Sequence, residues 1–169
     1  GCEIVLKNEG FDIRTILFGD GKVNQSALDI HQTKVLQPAL FLLEYGLALC
    51  LCNKGCRPDL LIGHSIGEFS AATLAGVFQF DDAIGLVARR GSLMQSMPAG
   101  KMLVVNSGAD QVLEYLGNQV SLAAVNAPKL TVLSGEELTI QKVEQQLSRK
   151  KIPTMSLRTS HAFHSHMME

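Results

Sequence analysis

The chain has 169 residues, enough for one domain or for one domain carrying a smaller inserted lobe. Hydrophobic residues make up 46% and charged residues 18%, which allows a sizeable core and argues against intrinsic disorder. A net charge of -1 with no block of like charge leaves no electrostatic footprint for nucleic acid or an anionic membrane. We read neither a charged-then-apolar leader nor an apolar run of bilayer length, so the expectation is a soluble, cytoplasmic protein.

In chain order, residues Gly1 to Phe11 open without a start signal. Ile30 to Cys52 is apolar at helical spacing, with Val35, Leu36, Ala39, Leu40, Leu43, Leu47 and Leu51 on one stripe. The helix is expected to start near Pro38, where a missing N–H costs little, and to stop at Gly55 and Pro58. Asp59 to Gly63 is a short apolar run bounded by punctuation and reads as a buried parallel strand. Glu68 to Ala75 reads as a helix stopped by Gly76. Asp81 or Asp82 then caps a helix running to Met94.

After Pro98-Ala99-Gly100 the rhythm changes. Met102 to Asn106 reads as a strand and Asp110 to Leu116 as a helix. Ser121 to Val125 and Leu130 to Leu133 read as strands split by Asn126-Ala127-Pro128. Leu138 to Lys150 reads as a helix with Ile140, Val143 and Leu147 inward, and Ile152 to Leu157 as a last strand. That order, βαββαβ, is ferredoxin-like. The fold class is therefore α/β: a larger parallel-sheet, α/β-hydrolase-like lobe over 1–100 and a smaller ferredoxin-like α+β lobe over 101–160. Residues 161–169 are expected to return to the first lobe. Both ends look cut, because a catalytic apparatus rarely lies flush against a fraying terminus.

Cys50, Cys52 and Cys56 lack the paired spacing of a zinc knuckle, and no second pair follows. They read as small apolar residues late in a buried helix, with Cys56 in the turn after it.

Gly63-His64-Ser65-Ile66-Gly67 follows a predicted strand and precedes a predicted helix, the setting of a nucleophile elbow. The glycines make room for a sharp turn that lifts the Ser65 hydroxyl outward. The same turn puts the Ile66 N–H at a helix start, where it can donate to an oxyanion. A serine needs a base. His31 lies in a polar upstream stretch, and the turn should aim His64 elsewhere. His161, His164 and His166 cluster near the end, where the carboxylate or thiolate of a catalytic zinc site is missing. Spacing alone does not choose among these three. Arg90 lies on the stripe of Ala83, Val87 and Met94, which leaves two readings, an inward guanidinium awaiting an anion or a snorkelling surface arginine.

Taken together, Gln37 to Phe41, Gly63 to Glu68, Arg90 to Gln95, Asn126 to Gly135 and His161-Ala162-Phe163-His164 resemble, in order, the motifs of the malonyl-CoA:acyl-carrier-protein transacylase family. The resemblance is strongest to the acyltransferase domains of modular polyketide synthases. It implies an acyltransferase with Ser65 as the acylated nucleophile and His164 as base, a dyad oriented by backbone. Arg90 would then hold the malonyl carboxylate, and His161 and Phe163 would line the substrate. In the family the residue before the base helps select the acyl group, so Phe163 would fill the space an α-methyl needs.

The resemblance also implies malonyl-CoA as substrate and an acyl carrier protein as partner, its phosphopantetheine thiol receiving the group. Neighbouring synthase domains are implied as well, in polyketide or fatty acid biosynthesis. No metal or redox cofactor is expected; the coenzyme A thioester is substrate. The family's N-terminal Gly-Gln-Gly segment, which supplies a second oxyanion donor, is not among these residues, nor is the C-terminal stretch that holds the histidine. An isolated chain of this extent need not be active. A serine hydrolase or thioesterase on the same elbow, and a non-catalytic module, are the rival readings.

Overall fold

The computed structural model describes residues 1–19 and 29–169. The chain divides into two compact units, Gly1–Gln95 and Ser96–Glu169.

The regular elements of the first unit are helices: α1 (Cys2–Glu9), α2 (Arg14–Leu17), α3 (Thr33–Asn53), α4 (Gly67–Leu74) and α5 (Phe80–Gln95). The opening helix α1 is not anticipated by the sequence pattern. It buries Val5, carries Glu3 in its first turn and Lys7 in its last, and closes on Gly10 in the left-handed conformation.

Helix α3 begins five residues before the expected start, with Pro38 inside it. Proline is tolerated there because only one early hydrogen bond is lost, and its ring is buried. Within α3 lies a stretch of mean hydropathy 1.8, long and apolar enough to cross a membrane by length and composition, against the expectation that no such run exists. Its first half is a core element: Ala39 and Phe41 pack with Val5, Ile13, Ala83, Ile84, Val87 and Ala88, and Val35 is fully buried. Phe80 stacks on Phe41 at 5.9 Å and on Tyr45 at 4.9 Å between ring centroids.

The second half departs from the sequence reading. Leu43, Leu47 and Leu51 of the expected inward stripe are exposed, as are Cys50 and Cys56. The described residues of this unit leave that face largely uncovered, although Leu51 shares a hollow with Leu61 and Leu74. The same reason corrects the expected buried strand over Asp59–Gly63. This segment carries no strand ladder, and Leu60 and Ile62 are 91% and 93% exposed. A parallel strand needs neighbouring strands and two covered faces, and the described residues of the first unit hold no other strand.

The second unit is a four-stranded antiparallel sheet in the order β2-β3-β1-β4. Its strands are β1 (Lys101–Val105), β2 (Val120–Ala127), β3 (Leu130–Gly135) and β4 (Thr154–Ser156), with α6 (Glu137–Arg149) between β3 and β4. The element order is the expected one, except that the first helix is a 3₁₀ helix over Ala109–Tyr115. Strand β2 runs on through Asn126, so the turn to β3 is only Pro128-Lys129, closed by the Ala127–Leu130 pair. Ile140, Val143 and Leu147 of α6 pack on Leu103, Val105, Val120 and Leu133. They fall at helical spacing because one face of a 3.6-residue period must meet the sheet. Residues 161–169 fall within this compact unit, where a bridge pairs His161 with Ala99, just ahead of β1.

Leu133 is fully buried on a central strand, whereas Leu138 on α6 is 72% exposed. Leu133→Ala is expected to destabilise the second unit by about 2–5 kcal/mol in urea unfolding followed by circular dichroism, and Leu138→Ala by about 0.5 kcal/mol or less. Equal effects would contradict this packing.

Candidate active site

The turn leading into α4 is tightly specified. The N–H groups of Gly67, Glu68 and Phe69 bond the carbonyls of His64, Ser65 and Ile66 at 3.0, 3.2 and 3.0 Å. The Gly63 N–H donates to Oε1 of Glu68 at 3.1 Å, bracing the entry to the turn against the helix it starts. A Cβ on Gly63 would sit 2.1 Å from the Glu68 nitrogen and 2.2 Å from the Gly67 carbonyl carbon, so only glycine fits. At Gly67 the nearest atom would be Glu44 Oε2 at 3.8 Å, an ordinary contact, so the expected crowding holds at one flanking glycine and not the other.

Ser65 adopts φ 54°, in the left-handed region. The Ile66 N–H is not among the turn's bonds and lies at the positive end of the α4 dipole. Helix α4 is tied down by Ser70, whose buried hydroxyl donates to Glu44 Oε2 on α3 at 2.7 Å. His64 and His31 are exposed.

Arg90 is on α5, which approaches α3 closely at the next residue: a Cβ on Gly91 would lie 2.9 Å from the Thr33 oxygen and 3.0 Å from Lys34 Cα. That approach brings the half-buried guanidinium to α3, where Nη1 donates to Oε1 of Gln37. The guanidinium carbon lies 5.8 Å from the ring centroid of Phe69, in the first turn of α4. Among the described residues Arg90 has no carboxylate partner. Burial lowers its pKa, and the guanidinium nonetheless stays charged. Arg89 beside it is exposed. The Arg90 side chain thus lies half-buried between Gln37 and Phe69 instead of extending along the surface.

In the second unit, His161 is 5% exposed and both ring nitrogens are engaged. Nε2 donates to the Met97 carbonyl at 3.0 Å, which fixes the tautomer, and Nδ1 accepts from the Ser160 hydroxyl at 2.7 Å. Phe163 is half-buried and stacks on His161 with centroids 6.1 Å apart. His164 is exposed and takes φ 57°. The residue after it, Ser165, is buried; its hydroxyl donates to the Ala162 carbonyl at 2.6 Å and accepts from the Met167 N–H at 3.2 Å. These bonds hold the backbone on both sides of His164.

Only three non-glycine residues among those described have positive φ: Ser65, Lys151 and His164. Lys151 is explained by helix termination, since Lys151 and Ile152 N–H bond the Ser148 and Leu147 carbonyls in a Schellman motif after α6. The other two follow no helix and cost on the order of 1–3 kcal/mol each. They are the two residues read as nucleophile and base.

The structure thus places Ser65, Ile66 and Arg90 in the first unit and His161, Phe163 and His164 in the second. Sequence reasoning gave no role to Gln37 or Glu68. A glutamine inside an apolar helical stretch is the signal that could have singled out Gln37. No group of His, Cys, Asp and Glu suited to a metal ion occurs among the described residues.

Comparison with known proteins bears on this arrangement. The family model of the acyl transferase domain matches residues 2–169. The chain is 42% identical over 158 residues to a type I polyketide synthase of phenolphthiocerol synthesis from Mycobacterium marinum, covering 93% of this chain and 7% of that protein. Among solved structures, it matches the acyltransferase domain from the second module of the salinomycin polyketide synthase with TM-score 0.86 and 40% identity, over 98% of this chain and 39% of that one. It also matches the malonyl CoA-acyl carrier protein transacylase of Burkholderia pseudomallei with TM-score 0.84 and 31% identity, over 99% of this chain and 58% of that one. The chain therefore spans only part of the proteins it resembles. With a mixed α/β fold of this kind and a match over nearly its whole length, the chain belongs to the acyl transferase domain family.

Proposed function

We propose that this chain carries the nucleophile, base and carboxylate clamp of an acyltransferase that moves a malonyl group from coenzyme A to an acyl carrier protein in polyketide biosynthesis. The observation that carries this reading is the pair of left-handed residues, Ser65 and His164, that no helix end accounts for. Backbone strain persists only where the surroundings over-determine it, and here Gly63, the Glu68 brace and the Ser165 bonds do so.

In the proposed cycle, His164 takes the Ser65 hydroxyl proton as Oγ attacks the thioester carbonyl, and the Ile66 N–H donates to the oxyanion. The carbon–sulfur bond breaks, coenzyme A leaves as its thiol with the proton from His164, and malonyl remains as an ester on Oγ. The carrier's phosphopantetheine thiol then gives its proton to His164 and attacks the ester. Ser65 recovers the proton as the new thioester forms. Arg90 pairs with the free malonyl carboxylate, and Phe163 occupies the space of an α-methyl, braced by His161 behind it. Both steps use only protein groups and the two thiols. The setting is cytoplasmic, within a synthase module. A hydrolase on the same elbow has no use for a desolvated guanidinium without a carboxylate, which is why transfer of a dicarboxylic acyl group is favoured.

Exposure of the intact protein to malonyl-CoA, followed by peptide mass spectrometry, is expected to place the adduct on Ser65 and to show its loss on adding carrier protein. Ser65→Ala should carry no adduct; an adduct that survives that substitution contradicts the assignment. Gly63→Ala, which drives a Cβ into backbone, should cut loading about 100-fold or more by shifting the oxyanion donor. Arg90→Ala should lower malonyl loading about tenfold or more while acetyl loading holds, and parallel loss of both would count against the clamp.

A further inference from the structure

Gln37 sits on α3, 6% exposed, with every polar atom of its side chain engaged. Oε1 accepts from Arg90 Nη1, and Nε2 donates to Thr33 Oγ1 at 2.7 Å and meets Met94 Sδ at 3.2 Å. A guanidinium only donates, so the amide cannot be turned the other way round. Thr33 is fixed in turn, its N–H donating to Gln95 Oε1 at 2.9 Å at the far end of α5. Two helices thus clamp one amide, and the amide clamps one edge of a guanidinium whose carbon lies near Phe69.

We infer that Gln37 is a positioning residue that makes Arg90 selective for an acyl group bearing a free carboxylate. It does so by holding the guanidinium with a neutral acceptor. The inference rests on the proposed transfer reading and deepens it. A buried guanidinium must be hydrogen-bonded, and the obvious buried partner is a carboxylate. A glutamate at position 37 would supply one, but it would also cancel the positive charge and compete with the ligand for it. An amide of the same shape orients one N–H edge and leaves both the charge and the remaining N–H groups for a carboxylate from outside. The lowering of the Arg90 pKa by burial accords with a charge that is partly desolvated and, among the described residues, unmatched. The neutral wall is completed by Met94 and Phe69, which cannot ionise.

The test compares malonyl and acetyl loading from their coenzyme A esters in the intact protein, using Gln37→Glu and the similarly sized Gln37→Met, each checked by circular dichroism for folding. Gln37→Glu is expected to lower malonyl loading about tenfold or more while acetyl loading stays within about twofold, because the internal carboxylate takes the charge. Gln37→Met is expected to raise the malonyl KM with acetyl loading unchanged, because the guanidinium loses its fixed acceptor. Parallel loss of both acyl groups in folded variants, or no change in either, overturns the inference.

If the unsubstituted protein loads neither group, the transfer reading fails, and the clamp is read directly by phenylglyoxal modification of Arg90 mapped by mass spectrometry. Malonate protecting Arg90 in the unsubstituted protein but not in Gln37→Glu upholds the inference. Equal protection in both, or protection in neither, overturns it.

Discussion

The turn at residues 63–68 is the constraint on which the rest depends. Its geometry needs a residue without a Cβ at position 63, a brace from Glu68 back to the Gly63 N–H, and a serine held in the left-handed region. Each requirement is local, but none would hold on a loose helix. Helix α4 is seated on α3 through Ser70 and Glu44, and α3 is in turn locked to α5 by the close approach at Gly91. Strain at one serine is thus supported by packing across three helices, with the aromatic stack of Phe41, Tyr45 and Phe80 beneath.

The same packing sets the charge. Arg90 reaches the interior because Gly91 lets α5 lie against the start of α3, and it meets an amide there rather than an acid. Among the described residues this partly buried guanidinium has no counter-ion, which sacrifices stability that a carboxylate would restore. Such a cost is commonly retained where a ligand supplies the missing partner. Backbone strain at Ser65 and unmatched charge at Arg90 are two forms of the same trade, both placed around the first turns of α4.

Much of this was legible in the residues. Gly55 and Gly76 marked the ends of α3 and α4, and the spacing of Ile140, Val143 and Leu147 gave the inward face of α6. Gly63 marked the tight turn into α4. The misreadings have physical causes. The apolar run at 59–63 predicts a buried strand because pattern reading supplies sheet neighbours that the described residues do not contain. Leu43, Leu47 and Leu51 predict burial for the same reason. Pro38 pointed to a helix start because proline is favoured there, yet it stands within α3, where burial of its ring offsets the lost bond. Gln37 stands out as a polar residue in an apolar helix, yet its role was not legible, because nothing in sequence says which arginine a buried amide will meet. His161 was read as lining substrate; no sequence pattern announced that both its ring nitrogens would be engaged by the protein and its ring stacked on Phe163.

The central claim is that Ser65, held in its strained turn, is activated by the imidazole of His164. Its most direct test is the single-turnover rate of Ser65 acylation by malonyl-CoA against pH, in the unsubstituted protein and in His164→Ala. The account predicts a rate that falls on the acid side as the imidazole protonates, and a drop of about 100-fold or more in His164→Ala with that acid limb gone. An unchanged rate and an unchanged pH profile in His164→Ala would contradict it.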